Sequence, residues 1–404
     1  MKRYSIILWA VLLSTSVFGT ITWHSEEVCA ANVRGDTYAA LYYGDIDVKY
    51  NNYPRIVWGR PTSTNGGAFY RYKNIDGSWG GTTTKLLIDY SPETYGYTEQ
   101  IRIVESRNES SEFAIVRLSG VDGTTTKLWL DYYDADVGSD FVHTQLSTTT
   151  FRDFDIYGMN AVQSDSSTVF TVYLVRATSS SNIYFSILRN GATADYLGTS
   201  NTIAASLAYL PYDVKIFIYN KNLHFTWNDI NTYTCYYLPG TETGYINSPS
   251  YSFGSVSPLY TGASSNYTSR EFQIGFYKAT NYPFTFGRIG GASNSSVALY
   301  KYNGSAWTEG FTFATAPALS GSTSKHRLDP ATGTFVWTTR EADGTNTIKV
   351  AYYDPSERFL IVETVASGLP VIGFISVKRK DSRIHIAYGT VSTPKIYYVY
   401  GDVE

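Results

Sequence analysis

Short apolar runs alternate along the chain with clusters of Gly, Asn, Asp and Ser, a rhythm of strands and turns rather than of helices. One run recurs, a short apolar strand ending in most copies in an aromatic residue or Arg. Its copies are Arg55-Ile-Val-Trp58, Ala114-Ile-Val-Arg117, Phe170-Thr-Val-Tyr173, His224-Phe-Thr-Trp227, Phe284-Thr-Phe-Gly287, Phe335-Val-Trp337 and His385-Ile-Ala-Tyr388. The steps between their last residues are 59, 56, 54, 60, 50 and 51. A period this even is the mark of a repeat architecture.

Each copy keeps the same company. A strand precedes it across a tight turn, as Ile46 to Tyr50, Val214 to Tyr219 and Phe374 to Lys378 do. A Tyr-rich strand follows: Phe69 to Tyr72, Lys127 to Tyr133, Ile183 to Leu188, Tyr233 to Leu238, Val297 to Tyr302, Ile348 to Tyr353 and Ile396 to Tyr400. A weaker fourth strand comes next, as in Thr84 to Ile88, Phe311 to Thr315 and Phe359 to Val365. Four antiparallel strands in seven units predict an all-β, seven-bladed β-propeller. A sandwich would lack the long period, and no Pro- or Ser-rich linker splits the chain in two. The last unit ends after its third strand. The N-terminal segment is therefore expected to supply the missing strand and close the ring, removing a sheet edge; Thr37 to Tyr43 is the candidate. The loose stretch from Gly240 to Ser269 reads as an extended fourth strand and an inter-blade loop.

Composition agrees. The chain has 404 residues, 37 of them Tyr; 43% are hydrophobic, 17% are charged and the net charge is −3. The weak acidic balance speaks against a nucleic-acid partner, and the apolar content against disorder. Lys2 and Arg3 before the apolar run Ile6 to Leu13 read as a secretory signal peptide over residues 1–19, cleaved after Gly19. Val28-Cys29-Ala30 offers a second small-residue site, so the propeller domain is expected over 31–404 at the shortest. The alternative is an uncleaved anchor; no later segment reaches the ~20 apolar residues of a membrane span. The expected place is secreted or cell-surface, where Cys29 and Cys235 could pair, although a buried, unpaired Cys235 is the simpler reading. Asn108, Asn266, Asn294 and Asn303 open glycosylation sequons.

Tyr72-Lys-Asn-Ile-Asp-Gly-Ser-Trp79, at a turn between third and fourth strands, resembles the BNR or Asp-box repeats of sialidase-like propellers; Tyr302-Asn-Gly-Ser-Ala-Trp307 is a looser echo. The match is degenerate, with Tyr72, Asn74 and Asp76 where that box has Ser, Asp and Gly. The resemblance implies a propeller, often a carbohydrate-active one, and names no reaction.

In propellers of this type ligands bind where second strands join third strands and one blade joins the next. Residues at those places are Arg60, Arg176, Asp229, Arg288 and Arg340, with Trp58, Tyr173, Trp227, Trp337 and Tyr388 beside them. Convergent arginines suit a carboxylate or sulfate, and flat aromatics suit sugar rings; the alternative is arginines paired to neighbours and aromatics in the inter-blade core. Glu99, Asp153, Asp155, Asp213, Arg270 and Glu271 fall on inter-blade loops. A glycosidase needs two carboxylates at a set spacing, and Glu99, Asp213 and Glu271 are candidates for it. His326 with Arg340 would serve a lyase. His143, His224 and His385 fall in strands and read as structural. No cofactor motif occurs. Asp131-Tyr-Tyr-Asp134-Ala-Asp136 lacks the Gly and Glu of a calcium loop, so no metal is expected. Lys378-Arg379-Lys380 reads as a solvated turn. The sequence favours a non-catalytic binder of polysaccharide or glycan, or of an extracellular protein. The alternatives are a sialidase-like hydrolase or polysaccharide lyase and a structural subunit of an extracellular assembly.

Overall fold

The computed structural model describes residues 21–30, 43–48, 52–59, 68–86, 97–106, 112–120, 126–133, 142–147, 151–178, 181–189, 201–204, 207–229, 231–246, 248–261, 270–277, 282–290, 294–317, 325–353, 360–392 and 394–403. They form seven antiparallel sheets and no helix. The N-terminal strand β1 (His24–Ala30) is set aside for the last blade. Blade 1 holds β2 (Tyr43–Val48), β3 (Pro54–Gly59), β4 (Ala68–Lys73) and β5 (Trp79–Leu86). Blade 2 holds β6 (Tyr97–Glu105), β7 (Phe113–Gly120), β8 (Thr126–Tyr133) and β9 (Val142–Ser147). Blade 3 holds β10 (Phe151–Val162), β11 (Thr168–Thr178), β12 (Ile183–Arg189) and β13 (Asn201–Ala204). Blade 4 holds β14 (Pro211–Tyr219), β15 (Asn222–Asp229), β16 (Thr234–Tyr245), β17 (Ser248–Phe253) and β18 (Ser257–Thr261). Blade 5 holds β19 (Arg270–Tyr277), β20 (Tyr282–Gly290), β21 (Asn294–Tyr302) and β22 (Trp307–Pro317). Blade 6 holds β23 (His326–Asp329), β24 (Thr334–Arg340), β25 (Asn346–Tyr353) and β26 (Leu360–Leu369). Blade 7 holds β27 (Ile372–Lys380), β28 (Arg383–Thr390) and β29 (Lys395–Asp402).

The recurrent run is the second strand of every blade, because it is covered on both faces by neighbours. Ile56, Ile115, Phe225, Phe286, Phe335 and Ile386 have no measurable exposure. The ring closes as expected in kind but with a different strand. β1 pairs antiparallel with β29, from His24 opposite Tyr400 to Ala30 opposite Lys395. Thr37–Tyr43 is not the closing strand: Tyr43 opens β2, and residues 31–42 lie outside the described part. Blade 1 clamps β1 from its other side. Arg71 donates to the Val28 carbonyl at 2.7 Å, and Lys73 and Trp79 Nε1 both donate to Glu26. In blade 4 the fourth position is shared: β16 pairs with β18 along its first half and with β17 along its second.

The inner strands meet around the axis, and a polar side chain crosses most junctions to a backbone group. Asp45 and Asp47 of β2 accept from the N–H groups of Ile103 (3.2 Å) and Glu105 (2.8 Å) of β6. Gln100 donates to Phe154 O at 2.6 Å. Asp153 and Asp155 accept from Val214 N (2.8 Å) and Ile216 N (3.3 Å). Thr226 donates to Phe272 O at 3.3 Å, and Gln273 brackets His326 O and Leu328 N. Asp329 accepts from Arg379 N at 3.0 Å, and Ser376 closes the circle by donating to Asp45 at 2.5 Å. Where inner strands approach this closely there is no room for a side chain. A Cβ on Gly44 would stand 2.5 Å from the Phe374 ring of blade 7.

Candidate functional site

Bulges shape the inner strands. Register slips between Thr98 and Gln100, Phe151 and Asp153, Tyr212 and Lys215, Arg270 and Gln273, and Ile372 and Phe374. A bulge twists its strand and re-aims its side chains. Beyond these bulges, polar residues two apart share a face, and in the inner strands that face looks at the axis.

The result is an axial cavity of about 300 Å³ to which all seven inner strands contribute. Six carboxylates (Asp45, Asp47, Glu105, Asp155, Asp329, Asp381) and five bases (Lys215, Arg327, Lys378, Arg379, Lys380) line it. The lining runs down to Pro330–Thr332 and Lys380–Asp381, so the cavity opens at the face of the first-to-second-strand turns. Two bridges span it. Arg327 Nη2 lies 3.7 Å from Asp45 and 3.6 Å from Asp155. Lys378 Nζ lies 3.6 Å from Asp47 and 3.4 Å from Asp329. Burial opposes the charge on Arg327, but Asp45, Asp155 and Asp213 outweigh it and hold the guanidinium above its ordinary value. Lys215 is likewise raised, by Asp213, Asp153 and Asp155 against its burial. Arg102, 3.4 Å from Asp155, is lowered by burial and by the neighbouring Arg327.

All six residues expected on inter-blade loops are thus strand residues, Glu99 in β6 and Arg270 and Glu271 in β19 among them. Asp153 and Asp155 belong to β10 and Asp213 to the β14 bulge, with a positive φ of 54°. Asp213 pairs with Lys215 and accepts from Asn228 at 3.3 Å. Nor is Lys378-Arg379-Lys380 a solvated turn. It ends β27, Lys378 bridges the axis, and Arg379 donates to Tyr353 O at 2.7 Å. The alternation of charged residues at i and i+2 ahead of four of the recurrent runs was the available signal for this ring. Asp45-x-Asp47, Asp153-x-Asp155, Asp213-x-Lys215 and Arg327-x-Asp329 all show it.

The other expected residues are dispersed. Trp58, Trp227, Trp337 and Tyr388 are buried at 5% exposure or less and pack in the core. Tyr173 is buried and donates to Glu242 at 3.1 Å. Arg176 is buried in β11, donates to Ser186 at 3.0 Å and lies over the Phe151 and Tyr184 rings; burial lowers it to about 10. Asp229 is buried and caps its own turn, accepting from Asn231 N at 2.7 Å and from Thr232 Oγ1. Arg340 ends β24, half-buried. His326 is a buried β23 residue beside the Phe335 ring. Glu99 lies in β6, Glu271 in β19 and Arg288 in β20; their side chains, and Arg60, are outside the described residues. Asp131 is wholly buried between Arg117 (2.7 Å) and His143 (2.9 Å). No cluster suited to a metal ion occurs among the described residues. Cys235 is a free, buried thiol. Asn303 is an exposed turn residue accepting from Ser305 and Ala306.

At the opposite end from the cavity mouth, blade 4 gathers aromatics. Tyr209 stacks on Tyr236 at 5.5 Å with 6° between planes, and Tyr236 on Trp227 at 5.9 Å. Trp227 Nε1 donates to the Tyr209 hydroxyl at 3.3 Å. Exposed Arg152 donates to the Tyr212 hydroxyl at 2.7 Å and lies 5.7 Å from that ring's centre.

No protein-family model matches the chain, and no curated protein sequence matches it. Among solved structures, similar folds include a chain of the mitotic checkpoint complex (11% identity, TM-score 0.49, covering 94% of this chain and 95% of that one). Another is a fucose-specific lectin from Aleuria aurantia (12%, 0.46, 82% and 99%). A third is the NanB sialidase from Streptococcus pneumoniae (9%, 0.45, 91% and 70%). At such identities and TM-scores these similarities carry no functional weight.

Proposed function

We propose that the chain is an exported, non-catalytic β-propeller that binds a glycan, or another polar extracellular partner, through the face of its second-to-third-strand connections. The blade 4 cluster carries the reading. Half-buried Tyr209, Tyr212 and Tyr236 are held in place by stacking and hydrogen bonds, with the exposed Arg152 guanidinium beside them. Rigid aromatics that keep a polar handle, next to a forked cation, suit the C–H face of a sugar and its acidic substituents. Binding rather than turnover is supported by Asp45, Asp153, Asp155 and Asp213. Each is tied to a base or to a backbone N–H, which holds it in place as an acceptor.

The export signal, the Asp-box kinship of Tyr72–Trp79 and cleavage after Gly19 belong to the same proposal. Ile21 is buried and Trp23 packs on blade 7, so cleavage after Gly19 keeps the closing strand and cleavage after Ala30 loses it.

The test is an array of neutral, sialylated, uronate and sulfated glycans probed with the mature protein at low and high salt. Retention should fall at least about 10-fold in Tyr236→Ala, and Arg152→Ala should remove its salt sensitivity. Retention untouched by both changes, or none on any glycan, would overturn the reading.

A further inference from the structure

The glycan-binding reading gives the four Asn-x-Ser/Thr sequons no role. Asn108 and Asn266 lie outside the described residues, and Asn294 opens β21 opposite Pro317 in the ladder. Asn303 is placed differently. It stands at the tip of the hairpin between β21 and β22, exposed together with Gly304, Ser305 and Ala306. Its side-chain oxygen accepts from Ser305 N at 3.0 Å, Ser305 Oγ at 2.9 Å and Ala306 N at 2.9 Å, while Asn303 N donates to Ala306 O at 3.1 Å. Two of the donors to the side chain are backbone N–H groups, which cannot accept. The atom facing them is therefore Oδ1, and the planar amide turns Nδ2 away from the turn, toward water. The same device closes three other hairpins with aspartate. Asp76, Asp165 and Asp343 accept from the N–H and hydroxyl of Ser78, Ser167 and Thr345. Gly77, Ser166 and Gly344 take a positive φ between them, as Gly304 does here at 96°. A carboxylate thus serves such a turn as well as an amide does. What asparagine adds at 303 is the outward NH2 group, two residues ahead of a serine.

We propose that Asn303 Nδ2 is the acceptor of an N-linked glycan, added to the exported chain by a glycosyltransferase of the secretory route from a pyrophosphate-linked sugar donor. The inference rests on the export part of the proposed function and not on its binding face. In the transfer, one Nδ2–H bond is replaced by a bond to C1 of the sugar. The bond from C1 to the pyrophosphate oxygen breaks, the carrier leaves with that electron pair, and the displaced proton passes to a base of the transferase. The three donors on Oδ1 stabilise the negative charge that gathers there as the amide gives up its proton. The ring tolerates the addition. A third-to-fourth-strand turn lies on the face of the first-to-second-strand turns, opposite the blade 4 aromatics, so a glycan at 303 leaves the proposed binding face open.

Trypsin isolates the site: cleavage after Lys301 and Lys325 gives peptide 302–325, in which Asn303 opens the one sequon. The full chain is produced in a eukaryotic secretory host, once with its own leader and once behind a leader of known function. The peptide is then weighed by mass spectrometry before and after treatment with an N-glycosidase. It should carry a glycan that the enzyme removes. Asn303→Asp keeps an acceptor for all three hydrogen bonds and lacks the NH2 group; it should abolish the modification, as should Ser305→Ala. Ser305→Thr, which keeps the hydroxyl, should retain it. Asn303→Asp should also leave the melting temperature of the unmodified protein and its retention on the glycan array unchanged. An exported chain whose peptide 302–325 stays bare would overturn the proposal, and so would carbohydrate that persists in Asn303→Asp. A chain held in the cell with its own leader but modified behind the foreign one would refute the export reading and uphold the acceptor site. Loss of array retention in Tyr236→Ala bears only on the other face.

Discussion

Two blades carry a buried imidazole at the same place. His224 and His385 each open the recurrent run of their second strand, and each ring's Nδ1 meets a tyrosine hydroxyl thirteen residues on, Tyr237 at 2.9 Å and Tyr398 at 2.7 Å. Burial lowers His224 to about 4, and burial with nearby Arg383 lowers His385 to about 3. Both rings are therefore neutral in the fold and charge more readily when it opens. Their contribution is whole above the ordinary value near 6.5 and is withdrawn as pH falls from there toward 4 and below. The melting temperature should drop over that window, and His385→Gln with His224→Gln should flatten the drop; an unchanged slope would refute the assignment. The Arg117–Asp131–His143 group is a buried carboxylate held between two partners. Arg117→Met should cost about 3–5 kcal/mol, because it removes the guanidinium partner of a wholly buried carboxylate and leaves only His143 beside it. Adding Asp131→Leu should recover much of the loss, as urea midpoints would show. The histidines were legible as structural residues because apolar neighbours flank them in sequence. Lys378 was not, because nothing local separates a lysine that bridges an axis from one in water.

Strands were legible where burial is two-sided. The seven recurrent runs, their Tyr-rich successors and the open last unit all follow from the apolar pattern. The inner strands were read worst, since a face turned to a polar axis mimics a loop and a bulge breaks the period of two. Turns show a related lesson. Asp76, Asp165 and Asp343 each cap the N–H and hydroxyl of Ser78, Ser167 and Thr345, with a positive φ at Gly77, Ser166 and Gly344 between them. One hairpin device thus serves first-to-second, second-to-third and third-to-fourth connections alike, and only the first of the three turns was singled out in the sequence. The closing strand was misplaced because β1 is half polar: Glu26 and Glu27 look unlike a sheet until Lys73, Trp79 and Lys395 meet them. Removing residues 20–30 should lower the melting temperature steeply, whereas Glu26→Ala should cost roughly 1–3 kcal/mol. A chain lacking them that melts like one beginning at residue 20 would exclude β1 from the closure.

At the scale of the ring, the axis is both the place of closest approach and the most polar part of the interior. Asp45 ties three blades together: it accepts from Ser376 of blade 7 and Ile103 of blade 2, and it faces Arg327 of blade 6. Asp45→Ala should therefore destabilise by about 3–5 kcal/mol. Thr226→Val, which removes one hydrogen bond at the junction of blades 4 and 5, should cost about 1 kcal/mol. Equal losses in denaturant titrations would show that the junctions, not the axial ions, dominate. Closure by β1 also has a consequence in time. Glu27 and its partner Lys395 are 368 residues apart, so the strand that finishes the ring is made first and its mate last. At about 5–20 residues per second, translation separates them by roughly 20–70 s. For that interval the nascent chain carries a complete strand with nothing to pair to, while six blades can already assemble. The last folding step is then a long-range capture of the waiting β1 by β29, and exposure to misassembly lasts until the two meet.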